Sequence, residues 1–225
     1  MKRQRALTAC VALVAASVLV AGCGGDDEKS DKAAGDKIAG AGESASTKPT
    51  RTPTPSAPAS PAGGPDLSLP KDLKVVTDWK APADSERADA LAAAVGYLTA
   101  LDVGIAHQDS SDPAVGFFTY PQSRAATLAK QHIENHVKDQ ASVTGTERLH
   151  RYEVDIVRPH STAVVSFCVD DSRYYGKDVK TGEVHRTEPG AKDHTAYEFG
   201  MRTTGAKAPW RVWEVRAETS SAKCQ

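Results

Sequence analysis

The sequence predicts an α+β domain in which helices come first and a curved antiparallel sheet follows beneath them. Apolar residues recur every three or four positions between residues 85 and 140, and every second position after Ala141. The limits of the domain come from composition. Residues 71–225, about 150 in all, are the size of one ordinary domain with one core. The chain before them holds few side chains with which to build one.

The first helix is expected over residues 85–107. Asp84 or Ser85 is a good N-cap, and Ala88, Leu91, Val95, Leu98, Leu101 or Asp102, and Ile105 form one apolar stripe, so the helix reads as amphipathic. Asp112-Pro113 opens a short helical stretch that Pro121 ends. Ala126, Ala129, Ile133 and Val137 then mark one side of another helix over residues 123–140. Period-two alternation follows at Tyr152, Val154 and Ile156, at Val165, Phe167 and Val169, at Tyr197, Phe199 and Met201, and through the tryptophan-containing segment 210–217. Turn signals at 158–161, 180–183 and 204–207 separate these runs, and Lys180-Thr181-Gly182 reads as the tip of a hairpin.

The start of the chain has a different character. Lys2, Arg3 and Arg5 precede an apolar run over residues 6–21, which is shorter than the roughly twenty residues a bilayer span needs. This is the pattern of an export signal. Residues 19–23, Leu-Val-Ala-Gly-Cys, resemble the lipobox of bacterial lipoproteins. That resemblance implies cleavage after Gly22 and a diacylglycerol on the thiol of Cys23. One acyl chain binds a membrane marginally, whereas two hold it stably. The expected organisation is a signal peptide over 1–22, a lipidated N-terminus and disordered tether over 23–70, and the domain over 71–225. The tether is rich in Gly, Ser, Thr and Pro and too poor in apolar residues to offset its ordering entropy. Its proline-rich half can extend roughly 60 Å as polyproline II. The expected location is therefore the outer face of the cell membrane, with the protein held there by lipid.

The signal holds three of the 28 basic residues and none of the 29 acidic ones, which leaves a mature net charge of about −4. Such a balance offers no electrostatic footprint for nucleic acid. With Cys10 removed and Cys23 acylated, Cys168 and Cys224 are left in an oxidising space, where a disulfide is the economical reading. A buried free thiol at Cys168, with Cys224 in a frayed tail, is the alternative.

The element order, the long first helix and the closing strand at 208–215 resemble the nuclear-transport-factor-2-like, or SnoaL-like, cone found in actinobacterial lipoproteins. That cone hosts isomerases, cyclases and plain binding modules. If this one were an enzyme it would need a base in its pocket, and Asp102, His150 and Asp155 are the candidates, although no family motif maps onto them. Asp102 is expected to face solvent or cap a partner. His132 and His136 stand at i and i+4 but lack the adjacent glutamate of HExxH, so they read as surface histidines. Asp170, Asp171, Asp178 and Glu183 lack the alternating oxygen ligands of a calcium loop and read as turn and strand-end residues. Phe117, Phe118, Tyr120, Tyr174, Tyr175, Trp210 and Trp213 either line a ligand cavity or fill the core.

No metal or cofactor is expected. The expected role is non-catalytic: holding a small apolar ligand or docking an envelope protein. The alternative is an isomerase or cyclase acting on a small apolar substrate.

Overall fold

A computed structural model describes residues 63–225. The expected signal, Cys23 and most of the expected tether lie outside the described residues.

The domain opens with strand β1 (Leu73–Thr77), followed by helices α1 (Ser85–His107), α2 (Pro113–Phe118) and α3 (Arg124–Asp139). The remaining strands are β2 (Ala141–Arg158), β3 (Thr162–Asp178), β4 (Val184–His185), β5 (His194–Arg202) and β6 (Arg211–Thr219). They form one sheet in the order β1-β2-β3-β5-β6, with β4 paired to β3. Helices against a mainly antiparallel sheet make this a mixed α+β fold.

Each helix begins where a short polar side chain can accept a free backbone N–H. Asp84 accepts from Arg87 at 2.9 Å, Asp112 from Ala114 at 2.9 Å and Ser123 from Ala126 at 3.1 Å. Helix α1 departs from the amphipathic expectation. Leu91, Ala94, Val95, Leu98, Ala100, Val103 and Ile105 are all buried, and burial extends round most of its circumference. It is long and apolar enough to cross a membrane, but here it is the core helix of the domain, touched by α2, α3 and the sheet. Its small residues allow this: a Cβ on Gly96 would lie 2.3 Å from the Phe118 ring, so α2 can rest directly on the α1 backbone.

Two features of the sheet differ from the expectation. It is not purely antiparallel, because β1 pairs in parallel with β2, from Leu73 opposite Gly145 to Thr77 opposite Leu149. The connection between them contains all three helices, which is the long crossover that parallel pairing needs. The second difference is that β2 and β3 run well beyond the predicted alternation and are interrupted by bulges. At one of them Asp171 and Ser172 of β3 stand opposite the single residue Glu147 of β2. The acids at 170 and 171 are therefore mid-strand and not turn residues. Packing also begins ahead of Lys71, since Leu67 is already buried in the core.

Aromatic rings dominate the centre of that core. Phe199 of β5 lies 5.0 Å from Phe167, 5.6 Å from Tyr197 and 6.0 Å from Tyr97, measured between ring centroids. On the opposite face of β3, Cys168 is joined to Cys224 by a disulfide, with Cα atoms 5.4 Å apart. The final residues are held there by backbone bonds as well: Ser221 N–H donates to His194 O at 2.9 Å, and the Arg151 guanidinium donates to the carbonyls of Lys223 and Gln225.

Candidate functional site

Two places in the domain have the makings of a site. The first is a buried carboxyl cluster between α1 and the β2–β3 ladder. Asp171 keeps the phase of Val165, Phe167 and Val169, and the extra residue at the bulge then shifts that phase so that Tyr174 also turns toward the helical face. There they meet Glu147 of β2 and Asp102 of α1. The Tyr174 hydroxyl donates to Asp102 Oδ1 at 2.5 Å. Asp102 is 4 % exposed and Glu147 9 %. Asp102 Oδ2, Glu147 Oε2 and Asp171 Oδ1 are buried without hydrogen-bond partners.

Loss of hydration disfavours the charged form of each acid. Burial pushes Asp102 up to about 7, against the opposing pull of the Tyr174 hydrogen bond and with a further push from Asp171. Asp171 is likewise raised to about 7 by burial, then by Asp170 and Asp193. Glu147 is driven well above its ordinary value by burial, then by Asp102 and Asp171. Tyr174 is raised too, first by burial and then by the neighbouring acids. Such a cluster can hold and exchange protons. It is not built as a metal centre: among the described residues no three His, Cys, Asp or Glu side chains are placed to share an ion.

The second place is an open cleft of about 500 Å³ where the start of α1, helix α2 and the loop between β5 and β6 converge. Phe117, Phe118 and Trp210 supply apolar surface, while Glu86, Asp89 and Lys207 supply charge. His160, also on its rim, approaches Glu86 with Nδ1 3.3 Å from Oε1. This cleft does not reach Asp102, Glu147 or Asp171. A larger opening of about 610 Å³ on another part of the sheet is bordered by Arg151, Glu153, Glu198, Arg216 and Lys223. Its charged border suits a small apolar molecule less well than the aromatic cleft does.

Of the three sequence candidates for proton transfer, only Asp102 belongs to the buried cluster, and it is inside the core, not facing solvent as expected. A carboxyl at this position on the stripe has no water to face, because the β2–β3 ladder covers that side of the helix. His150 lies on the other side of β2, paired with Cys168, and Asp155 is exposed. The three do not form one site. His132 and His136 lie side by side on α3, with ring centroids 4.9 Å apart. Among the singled-out aromatics, Phe117, Phe118 and Trp210 line the cleft, Tyr174 joins the acids, and Arg202 sits over the rings of Trp213 and Tyr120 at 4.3 and 5.8 Å.

Glu147 was not among the sequence candidates for chemistry, and Asp171 was weighed only as a calcium-loop residue and read as a turn or strand-end acid. Their signal was phase: Glu147 falls in step with buried Leu149, and Asp171 in step with Val165, Phe167 and Val169.

Fold and sites together describe a small α+β domain with an open aromatic cleft and a separate buried cluster of acids. No protein-family model matches the sequence. No curated protein matches it either. A solved structure from Xanthomonas campestris, described provisionally as a calcium/calmodulin dependent protein kinase II association domain, is similar over 63 % of this chain and 92 % of its own, at 14 % identity and a TM-score of 0.36. A likeness at that score carries no argument about fold or role.

Proposed function

We propose that this chain is an extracytoplasmic lipoprotein, anchored through Cys23, whose domain is a variant of the NTF2-like cone that binds a small apolar ligand without transforming it. The anchor reading rests on the basic start, the short apolar run and the Leu-Val-Ala-Gly-Cys stretch. The cone reading rests on three helices gathered against a bulged sheet that is antiparallel apart from its first strand.

The cleft carries the binding reading. Its volume falls within the range of small-molecule sites, and its rings lie beside a few charged groups that can orient a ligand. Ala92, an exposed residue of α1 that lines the cleft, offers a direct test. The intact protein taken from its native membranes should show a reproducible small adduct in native mass spectrometry. Ala92→Trp, which puts an indole into the cleft, should remove the adduct and leave the melting temperature within a few degrees of the parent. A bare protein, or an adduct that survives Ala92→Trp, would count against the cleft; co-purification of a protein partner would favour docking.

The anchor has its own test. Cys23→Ser removes the thiol that would be acylated, so the variant should move from the membrane fraction to the soluble one. Unchanged retention on the membrane would refute the lipoprotein reading.

One observation favours a second reading, an isomerase or cyclase of the SnoaL-like kind. Asp102 is a buried acid raised toward neutrality beside a phenol, a combination suited to moving a proton or donating a hydrogen bond. A substrate would have to reach Asp102 from a direction that the aromatic cleft does not provide.

A further inference from the structure

We propose that Asp102, Glu147 and Asp171 form a buried shared-proton site that locks α1 onto the β2–β3 ladder, so that the stability of the domain responds to the pH around it. The inference is independent of the ligand reading and requires no substrate.

The geometry carries it. Carboxyls from α1, β2 and β3 lie close enough in the interior to repel one another, and each keeps one buried oxygen with no hydrogen-bond partner. Two of the side chains, Asp102 and Glu147, are nine-tenths or more buried. A carboxylate left unpartnered away from water is costly, whereas a carboxylic acid carries its own donor for a neighbouring oxygen. The one donor identified for the three carboxyls, the Tyr174 hydroxyl, serves Asp102. Three full negative charges cannot be maintained there together, so protons take the place that counter-ions occupy elsewhere.

The surrounding groups do not supply the missing charge. Tyr97 on α1 and Tyr197 on β5 are neutral phenols whose own ionisation burial pushes upward. On β3, Asp170 adds negative charge beside Asp171, as does Asp193 in the short turn before β5. His194 at the start of β5 has a buried Nδ1 without a partner and interacts with Asp170. Arg148 on β2 is committed to Asp78 at 3.0 Å, and Arg173 on β3 is exposed.

The sign follows from which state binds the proton. Acids whose folded pKa is raised hold protons that the unfolded chain has already released, so stability falls as pH rises from about 4 through 7 and above. His132, His136 and His150 are shifted down, chiefly by burial, and oppose this trend below about 6.5. That opposition fades above about pH 6.5, which makes about pH 6.5 to 8.5 the window in which to look for the acids.

Guanidinium unfolding of the intact protein across that window tests the proposal. The folded-to-unfolded ratio should fall about tenfold per pH unit for each proton retained. Glu147→Gln and Asp102→Asn, measured separately, should flatten the slope, and the infrared carbonyl band of a protonated carboxyl at pH 7.5 should lose intensity in either variant. Should a variant fail to fold, the slope and infrared band of the parent still decide the question. A flat parent profile, or a parent without the protonated-carboxyl band, would overturn the proposal. So would a profile that calcium or magnesium flattens at millimolar concentration, because a metal ion would then be the occupant.

Discussion

Phe199→Ala should lower the unfolding free energy by about 3–5 kcal/mol, measured by urea denaturation at fixed pH. The phenyl ring is fully buried and is the one shared by Tyr97, Phe167 and Tyr197, so deleting it leaves a hollow bordered by large rings on several sides. Rings held by strands on one side and a core helix on the other have little freedom to collapse, which places this site toward the costly end of such deletions. A domain of this size has only about 5–15 kcal/mol to lose, so a large share of its stability would go. Phe199→Leu keeps much of the apolar volume and should lose less than half as much. A loss below about 1 kcal/mol for the alanine variant would mean that the neighbouring rings close over the gap.

The second large effect belongs to the disulfide. Cys168 and Cys224 are 56 residues apart in sequence. Closing a loop of that length restricts the unfolded chain enough to stabilise the native state by about 4 kcal/mol on the chain-entropy model. Reduction, or Cys224→Ser with Cys168→Ser, should therefore lower the melting temperature by about 8–16 °C. The last residues have other attachments, through Ser221 and Arg151, so the tail should loosen without the sheet coming apart. Carboxypeptidase should then remove residues beyond 220 from the reduced protein faster than from the oxidised one. Free thiols at Cys168 and Cys224 before reduction, or an unchanged melting point after it, would count against the bond.

How much could be read from the sequence varied with the distance over which each feature is determined. Helices α1 and α3 were legible because their apolar repeats and caps are local, and the outlines of β3, β5 and β6 were legible from alternation. β1 was not, since five residues paired to a partner beyond three helices leave only a brief apolar run. The first half of β2 was hidden by its threonines and by Gly145, whose φ of 102° and close approach to the Arg173 carbonyl suit it to the crowded ladder but break the strand pattern. The acidic interior was obscured for a related reason. Asp170-Asp171-Ser172 is a plausible turn by composition, and only the bulge opposite Glu147 keeps it within a strand while bringing Tyr174 to Asp102. In the cleft, the aromatics were recognisable as candidates, but their convergence with Glu86, Asp89 and Lys207 depends on how α1, α2 and the β5–β6 loop meet.

The parallel edge formed by β1 also sets the order in which the chain can assemble. The β2–β3 and β5–β6 pairings join segments linked by short loops, so they close at small entropic cost. β1 comes first among the elements of the domain, yet it can dock only onto a strand that lies beyond three helices. The first strand of the domain thus waits for a partner beyond α3, and a chain truncated within α3 leaves β1 with no strand on which to settle.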